Sequence, residues 1–468
     1  MTELVCQGCG HRVSADEPAP YACPNAGHDA GDHVLARTLD ASAGPFPTGH
    51  EENPFVRYRT LTHANSLARA HGMSDDAFTA IVRELDDAVK RVAGTGFVAT
   101  PFAEARALSD ALGLSAPASV WVKDETQNVS GSHKARHLMG LAILGETLAR
   151  LGLASQDATS SAGLAIASCG NAALAASIVA RAWGKPLHVF IPTDANPNVV
   201  RELERHGAQV HVCPRAAGVP GDPCYVAFRQ AVLAGAVPFC CQGPDNGLCI
   251  EGGETLAWEM IGESAARGAR IDRLFVQVGG GALASACIEG FRDAASVGAG
   301  TALPVLYTVQ TRGAFPLRRA WERVVARVAS HIGLDPKASD GVIARALRAH
   351  AKEPSVRDAL DYAATHRAEF MWAWESAPES VAHGILDDET YDWLTLVRGM
   401  IDTGGFPVVV SEEQLVHANQ LARAHTGIDV DETGSAGLAG LVALLEHPRM
   451  ADIGTKETIG VIFSGVRR

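Results

Sequence analysis

The chain of 468 residues has no surplus of basic residues, since 53 Asp and Glu residues outnumber 40 Lys and Arg residues and give a formal net charge of −13. A nucleic-acid-binding protein presents a basic face, so this balance argues against a nucleic-acid partner. Charged residues make up 20% of the chain and hydrophobic residues 47%, which is typical of a globular protein rather than of a disordered one.

The sequence also lacks the marks of a secreted or membrane protein. Its 10 cysteines are too few for a disulfide scaffold of this length. The start, MTELVCQGCG, has neither the basic region nor the apolar stretch of a signal peptide. Residues 161–180 carry no charge but are rich in alanine and interrupted by Gly and Ser, so they predict a buried strand and helix rather than a membrane span. We therefore expect a cytoplasmic protein with no membrane partner.

Strand-like and helix-like segments alternate from Val120 onward. This alternation predicts an α/β fold with largely parallel sheets flanked by helices. The units are too many for one sheet, so we expect two lobes within a catalytic region of residues 41–468. The smaller lobe would span about 130–245, and the larger about 60–129 and 246–468. A charged helical insertion at about 313–378 interrupts this alternation of strands and helices.

The first forty residues are rich in turns and too few to bury a core of their own. Cys6 and Cys9 have the C-x2-C spacing of a zinc site, and Cys23 offers a third thiolate. Either His28 or His33 would supply the fourth ligand. We predict a structural zinc ion in a small zinc-ribbon-like segment, residues 1–40, with three free thiols in a disordered tail as the alternative.

Lys134 opens a predicted helix after a Ser-Gly-Ser turn, in the segment VWVKDETQNVSGSHKARH. A cation at a helix N-terminus is disfavoured by the helix dipole. A lysine in this place therefore suggests a functional, nucleophilic amine. The alternative is an ordinary surface lysine.

Two further turns join a predicted strand to a predicted helix. Such turns present free backbone N–H groups that can bind an anion. In the first turn the anion would be a carboxylate, and a plain Asn N-cap is the alternative. The second is rich in glycine, which lets the backbone approach a phosphate closely; it matches neither the Walker pattern nor G-x-G-x-x-G. The first turn consists of Ser168, Cys169, Gly170 and Asn171, and the second of Gly279, Gly280, Gly281, Ala282 and Leu283.

Ser464 follows the last predicted strand, at the edge where ligands bind in open α/β sheets. In chain order, the lysine, the SxGN turn, the glycine-rich turn and this serine resemble the fold type II family of pyridoxal-phosphate enzymes. That family includes threonine synthase, threonine and serine dehydratases, cysteine synthase and the tryptophan synthase β subunit. The resemblance covers about residues 98–310 and 380–466, and it includes the segments TPF, EGGETLAWE, SVAHGIL and DVDETGSAGLAGL.

The resemblance implies pyridoxal phosphate as the cofactor and a role for each segment. Lys134 would hold the cofactor covalently and then move the proton of the substrate's Cα. Residues 279–283 would bind the phosphate, and Ser464 would face the pyridine nitrogen. Asn171 would bond the ring hydroxyl, and residues 168–171 would bind the substrate carboxylate.

The resemblance further implies a lyase or synthase that acts at Cβ or Cγ of a small amino acid, in a homodimer. Some threonine synthases carry a cysteine-rich start, which favours conversion of O-phosphohomoserine to threonine by elimination and water addition. The alternatives are a threonine or serine dehydratase or related ammonia-lyase, a β-replacement synthase, and a catalytically silent binding protein. A phosphorylated substrate needs a second anion site, for which His133 and Arg136 are candidates.

Overall fold

The strands of the protein form three sheets in the computed structural model, which describes residues 2–13, 17, 20–39, 44–154, 162–215, 222–447 and 453–468. The strands are β1 (Glu3–Cys6), β2 (Leu35–Thr38), β3 (Phe102–Glu104), β4 (Ser119–Asp124), β5 (Leu164–Ala167), β6 (Leu187–Ile191), β7 (Gln209–Val212), β8 (Val237–Pro238), β9 (Arg273–Gln277), β10 (Val305–Thr311), β11 (Pro407–Val410) and β12 (Thr458–Phe463).

The helices cover the sheets and connect most of the parallel strands. Their ends follow local signals: α3 begins after Ser74, whose hydroxyl accepts the N–H of Ala77, and ends at Gly94, which has a φ of +80°. The helices are α1 (Pro54–Arg57), α2 (His63–Ala70), α3 (Asp75–Ala93), α4 (Arg106–Ala111), α5 (Lys134–Leu151), α6 (Asn171–Trp183), α7 (Pro197–Arg205), α8 (Pro223–Leu233), α9 (Cys249–Ala266), α10 (Ala282–Ser296), α11 (Pro316–Ala329), α12 (Asp340–His350), α13 (Pro354–Thr365), α14 (Trp393–Thr403), α15 (Glu412–Thr426) and α16 (Glu432–Glu446).

Both larger sheets are mainly parallel, which confirms the predicted α/β fold. The six-stranded sheet has the order β11-β10-β9-β12-β4-β3, and within it only β3 runs antiparallel to its neighbour. The four-stranded sheet has the order β7-β6-β5-β8 and is parallel throughout. The central strands β9 and β12 are almost wholly buried, as expected where helices cover both faces of a parallel sheet.

The predicted insertion at 313–378 contains α11, α12 and α13. The two larger sheets fall within the predicted lobes, but the lobe boundaries themselves stay a prediction. Among the described helices, none combines the length and apolar character needed to cross a lipid bilayer.

The N-terminal segment packs against the catalytic region. Its strands β1 and β2 pair antiparallel, and the side chain of Arg37 on β2 is only 3% exposed. Arg37 forms ion pairs with Glu251 and Glu254 of α9 and with Asp293 of α10. The segment is therefore fixed to the two helices that flank the glycine-rich turn.

Candidate active site

The four predicted segments lie at the carboxyl ends of parallel strands or at the helix starts that follow them. Lys134 is the first residue of α5, and Asn171 is the first of α6, directly after β5. The glycine-rich turn joins β9 to α10, and Ser464 follows β12. Because parallel strands end at the same edge of a sheet, the topology brings these segments to one side of each sheet.

The turn before Lys134 is tight and is held by the end of the chain. Ser130 has a φ of +62°, the only positive value at a non-glycine residue among those described. Such a conformation costs energy and persists where surrounding contacts enforce it. Here the N–H of Val466 donates to the carbonyl of Gly131 at 3.0 Å, and the guanidinium of Arg468 donates to the carbonyl of Ser130.

A buried ionic cluster holds the first turn of α5 in place. Arg136, two residues after the lysine, is fully buried and donates from all three guanidinium nitrogens. Its Nε lies 2.8 Å from Glu125, and its Nη1 lies 2.6 Å from Glu259. Lys123 also pairs with Glu259, so two cations face two carboxylates. Arg136 is therefore committed to structure, and the structure does not support its predicted role in binding a substrate anion.

Ser464 contacts the residue that precedes the lysine. Its Oγ lies 3.0 Å from the backbone nitrogen of His133, which donates to it, and 2.5 Å from Nδ1 of the same residue. Both residues are buried. Burial, together with the charges of Lys134 and its neighbours, holds the pKa of His133 well below its usual value. His133 is consequently a neutral ring and cannot serve as a second cationic site for a phosphate.

The SxGN turn meets a residue that the sequence did not single out. The guanidinium of Arg468 donates to Oδ1 of Asn171. This contact orients the amide, because with Oδ1 occupied the Nδ2 donor faces away from the arginine. Cys169 is exposed; partial desolvation raises the pKa of its thiol, and nearby carboxylates, Asp194 first among them, raise it further.

The glycine-rich turn is shaped for an anion. A Cβ on Gly279 would lie 2.1 Å from Oδ2 of Asp387, and Gly281 has a φ of +107°, so side chains are excluded at both positions. Burial raises the pKa of Asp387, and the backbone of Gly280 acts in the opposite direction. A carboxylate thus lies close to the backbone donors that a phosphate would use, at the N-terminus of α10.

A segment before α14 braces this turn. The hydroxyl of Thr390 donates to the carbonyl of Gly279 at 3.1 Å, and the N–H of Asp392 donates to the carbonyl of Gly280 at 3.1 Å. Burial raises the pKa of Asp392 to about 8, while Lys134 acts in the opposite direction. Lys134 likewise opposes the rise that burial causes in the pKa of Asp387. Both acids therefore lie within electrostatic reach of the lysine, and only their place in the segment GILDDETYDW could have suggested them.

Comparisons with known proteins identify the family. Residues 95–465 match the model of the pyridoxal-phosphate dependent enzymes. The chain belongs to this family. It is 24% identical to a threonine synthase of Methanosarcina acetivorans over 374 residues, which are 78% of this chain and 74% of that one.

Solved structures show the same fold. The chain resembles a threonine deaminase from T.th. with a TM-score of 0.54 and 20% identity, over 82% of this chain and 98% of the other. It resembles diaminopropionate ammonia lyase from Escherichia coli with a TM-score of 0.55 and 14% identity, over 83% and 88%. A serine racemase from maize is similar at a TM-score of 0.53 and 18% identity, over 83% and 94%.

The described residues fit pyridoxal phosphate. The glycine-rich turn offers backbone donors to the phosphate, and Lys134 has no ion-pair partner among the described residues. In the described part of the chain, the hydrogen bonds of the buried Ser464 hydroxyl go to His133, so its proton can bond a ring at the carboxyl end of β12. The carboxylate of Asp387 lies beside this turn and would repel a bound phosphate, so it would have to move away or be protonated.

The structure brings together Cys6, Cys9, Cys23 and His33, with one candidate ligand atom of each within 4.8 Å of the others. The Sγ atoms of Cys9 and Cys23 are 3.7 Å apart, and Sγ of Cys6 lies 3.6 Å from Nδ1 of His33. A tetrahedral zinc with bonds of about 2.3 Å to sulfur and 2.0 Å to nitrogen requires nearly these separations. His33 belongs to this cluster, and His28 lies outside it.

Proposed function

We propose that the protein is a pyridoxal-phosphate-dependent lyase that removes a β-substituent from a small, unphosphorylated amino acid. The observation that carries the proposal is the charge of the described residues near the SxGN turn, where Asp194, Asp222 and Asp387 act on Cys169 and the cations predicted for a substrate phosphate are engaged elsewhere. This places β-elimination ahead of the threonine-synthase-like reaction that the cysteine-rich start favoured.

The cations predicted for a substrate phosphate serve other purposes. Arg136 is enclosed by Glu125 and Glu259, and His133 is neutral and bonded to Ser464. In the described part of the chain, Arg468 is the arginine that reaches the SxGN turn. One guanidinium beside the N-terminus of α6 suffices for the α-carboxylate of an amino acid.

Several carboxylates lie within electrostatic reach of the SxGN turn. Desolvation raises the pKa of the Cys169 thiol, and Asp194, Asp222 and Asp387 raise it further. Desolvation also raises the pKa of Asp388, and Asp222 raises it further while Arg215 acts in the opposite direction. A dianionic phosphate would be repelled by this group, whereas a hydroxyl or amino substituent at Cβ would not.

Each residue has a defined task in elimination. The cofactor supplies an electron sink for the negative charge that develops when the substrate's Cα proton leaves. Lys134 would move that proton, since it opens α5 with no ion-pair partner among the described residues. Asn171 and Ser464 would hold opposite edges of the ring, and Arg468 and the N-terminus of α6 would hold the substrate carboxylate.

The test is a substrate panel of serine, threonine, 2,3-diaminopropionate and O-phosphohomoserine. We expect a keto acid and ammonia from at least one of the first three, and no threonine from O-phosphohomoserine. Formation of threonine would overturn the proposal and establish the second candidate, which the identity to a threonine synthase supports. Racemisation without ammonia release would overturn both.

A matched variant tests the electrostatic argument. Asp388→Asn removes one carboxylate at the opening without touching the lysine or the glycine-rich turn. If repulsion excludes phosphorylated substrates, O-phosphoserine should inhibit this variant more strongly than the wild type, by about 2- to 5-fold in the inhibition constant. Asp358→Asn, at an exposed position of α13, is the control and should leave inhibition unchanged.

We also propose that Cys6, Cys9, Cys23 and His33 bind one structural zinc ion. The spacing of their ligand atoms supports the metal. So does Asp29, whose Oδ1 lies 2.7 Å from Nε2 of His33 and fixes Nδ1 as the ligand atom.

Elemental analysis should give about one zinc per chain in the wild type and in the control His28→Ala, and much less in His33→Ala. Equal zinc in His28→Ala and His33→Ala would contradict this ligand set. The expected homodimer stays a proposal, and sedimentation velocity at several concentrations tests it.

A further inference from the structure

His133 and Ser464 form a hydrogen-bonded pair in the described interior. His133 is 8% exposed and Ser464 is 3% exposed. Oγ of Ser464 is within hydrogen-bond distance of two nitrogens of His133, the backbone nitrogen at 3.0 Å and Nδ1 at 2.5 Å. Nε2 of the same ring is buried and has no hydrogen-bond partner in the described part of the chain.

A neutral imidazole carries one proton, so the pair has two possible states. With the proton on Nε2, that buried N–H has no acceptor, and the hydroxyl of Ser464 is used up in donating to Nδ1. With the proton on Nδ1, Nε2 carries only a lone pair, so no N–H group of the ring is left without an acceptor. Oγ then accepts two N–H groups, from the backbone and from Nδ1, which fills its two lone pairs and leaves its own proton free to donate.

Without a cofactor, each state leaves one of the three donors unpaired, either Nε2–H or the hydroxyl of Ser464. A pyridine nitrogen at the carboxyl end of β12 would accept the hydroxyl proton, so in the loaded protein only the second state pairs all three donors. Leaving a buried donor unpaired is costly, and native interiors contain few orphaned N–H groups. The backbone N–H of Ser464 already donates to the carbonyl of Gly434, so the hydroxyl is the donor that this residue retains for the ring.

We propose that His133 is a positioning residue, whose Nδ1–H donates to Oγ of Ser464 and so directs the serine hydroxyl proton to the pyridine nitrogen of the cofactor. The inference rests on the proposed function, because it assumes that the pyridine ring of the cofactor lies at the carboxyl end of β12. It assigns a purpose to a polar residue in a buried position beside the lysine. The surroundings keep the ring neutral: Lys134, Arg136 and His137 are the nearby cationic or ionisable groups, and burial acts in the same direction.

The first experiment reads the tautomer directly. The full chain is labelled with nitrogen-15 in histidine, and long-range proton–nitrogen spectra are recorded with and without pyridoxal phosphate, with His133→Phe identifying the signal. We expect a protonated Nδ1 and an unprotonated Nε2 in the sample that holds pyridoxal phosphate. A protonated Nε2 in that sample would overturn the proposal.

The second experiment tests whether His133 acts through Ser464. The Kd for pyridoxal phosphate and the visible absorbance of the bound cofactor are measured for His133→Phe, Ser464→Ala and the double variant. We expect His133→Phe to weaken binding about 5- to 10-fold, and to have no further effect when Ser464 is already alanine. His133→Asn, whose amide N–H can replace Nδ1–H, should restore most of the binding.

The outcomes separate this proposal from the proposed function. Equal, additive effects of His133→Phe in both backgrounds, with unchanged melting temperature, would show a packing role and overturn the positioning role. If the wild type binds no pyridoxal phosphate, the proposed function fails. If it binds the cofactor and Nε2 is the protonated nitrogen, only the positioning role fails.

Discussion

Two buried arginines anchor different parts of this molecule, and their surroundings differ in charge balance. Around Arg136, two cations face two carboxylates, and all three guanidinium nitrogens donate. Around Arg37, a single cation faces the carboxylates of Glu251, Glu254 and Asp293. The first cluster supports the turn that presents Lys134, and the second attaches the N-terminal segment.

The two clusters respond oppositely to protons. Burial raises the pKa of Glu259, but Arg136 and Lys123 outweigh burial and lower it, so this carboxyl stays ionised. Burial raises the pKa values of Glu251 and Glu254, and Arg37 does not fully offset it. A balanced cluster thus gives a fixed support, while an acid-rich cluster gives an attachment whose strength depends on its protonation.

The largest expected effect comes from breaking the balanced cluster. Arg136→Met leaves two carboxylates facing Lys123 alone, and removal of one partner from a buried ionic group costs about 3–5 kcal/mol. We expect a large fall in the unfolding midpoint in urea. Adding Glu259→Gln restores neutrality, so the double variant should recover part of the loss; a double variant less stable than Arg136→Met would contradict this account.

A smaller effect is expected for Arg37→Met. The remaining carboxyls can take up protons, since two of them already have raised pKa values, so we expect a loss of about 1–3 kcal/mol. The loss should be confined to the N-terminal segment, seen as faster proteolysis there with the catalytic region intact. The control is Arg12→Met, which removes the exposed pair with Glu3 of β1 and should change little.

The smallest effect is the pH dependence. For Glu251 and Glu254 the folded pKa lies above the unfolded value near 4.3, so the folded state binds more protons, and attachment weakens as pH rises through the folded pKa values. For Glu259 the folded pKa lies below it, so stability is lost only as pH falls. Hydrogen exchange of β1 and β2, corrected for intrinsic rates, should speed up as pH rises above the unfolded value near 4.3, while that of α5 does not. Parallel changes in both would contradict the comparison.

The order of helices and strands could be predicted because each has local signals. The helices at Lys134–Leu151 and Asn171–Trp183 begin and end as the sequence indicates, since Gly152 and Gly184 mark their ends. Parallel strands were evident from their continuous apolar runs. The four loop segments could be placed at strand ends for the same reason.

The interior pairings could not be predicted, because they join residues far apart in the chain. Arg136 was a candidate for a second anion site, and its sequence position does not show that Glu125 and Glu259 surround it. Arg468 gave no signal of its contact with Asn171, 297 positions away. No sequence spacing indicates that Asp387 lies beside the glycine-rich turn. The sequence likewise left His28 and His33 equal, and the proximity of His33 to the cysteines depends on how the N-terminal chain folds.

The most direct test of the account is to find which lysine holds pyridoxal phosphate. The loaded protein is reduced with borohydride, digested and mapped by mass spectrometry, with Lys134→Ala as the control. The account predicts a single modified peptide that contains Lys134, and no modification in the variant. A label on another lysine, such as Lys123 or Lys185, or no label on the wild type, would contradict the account.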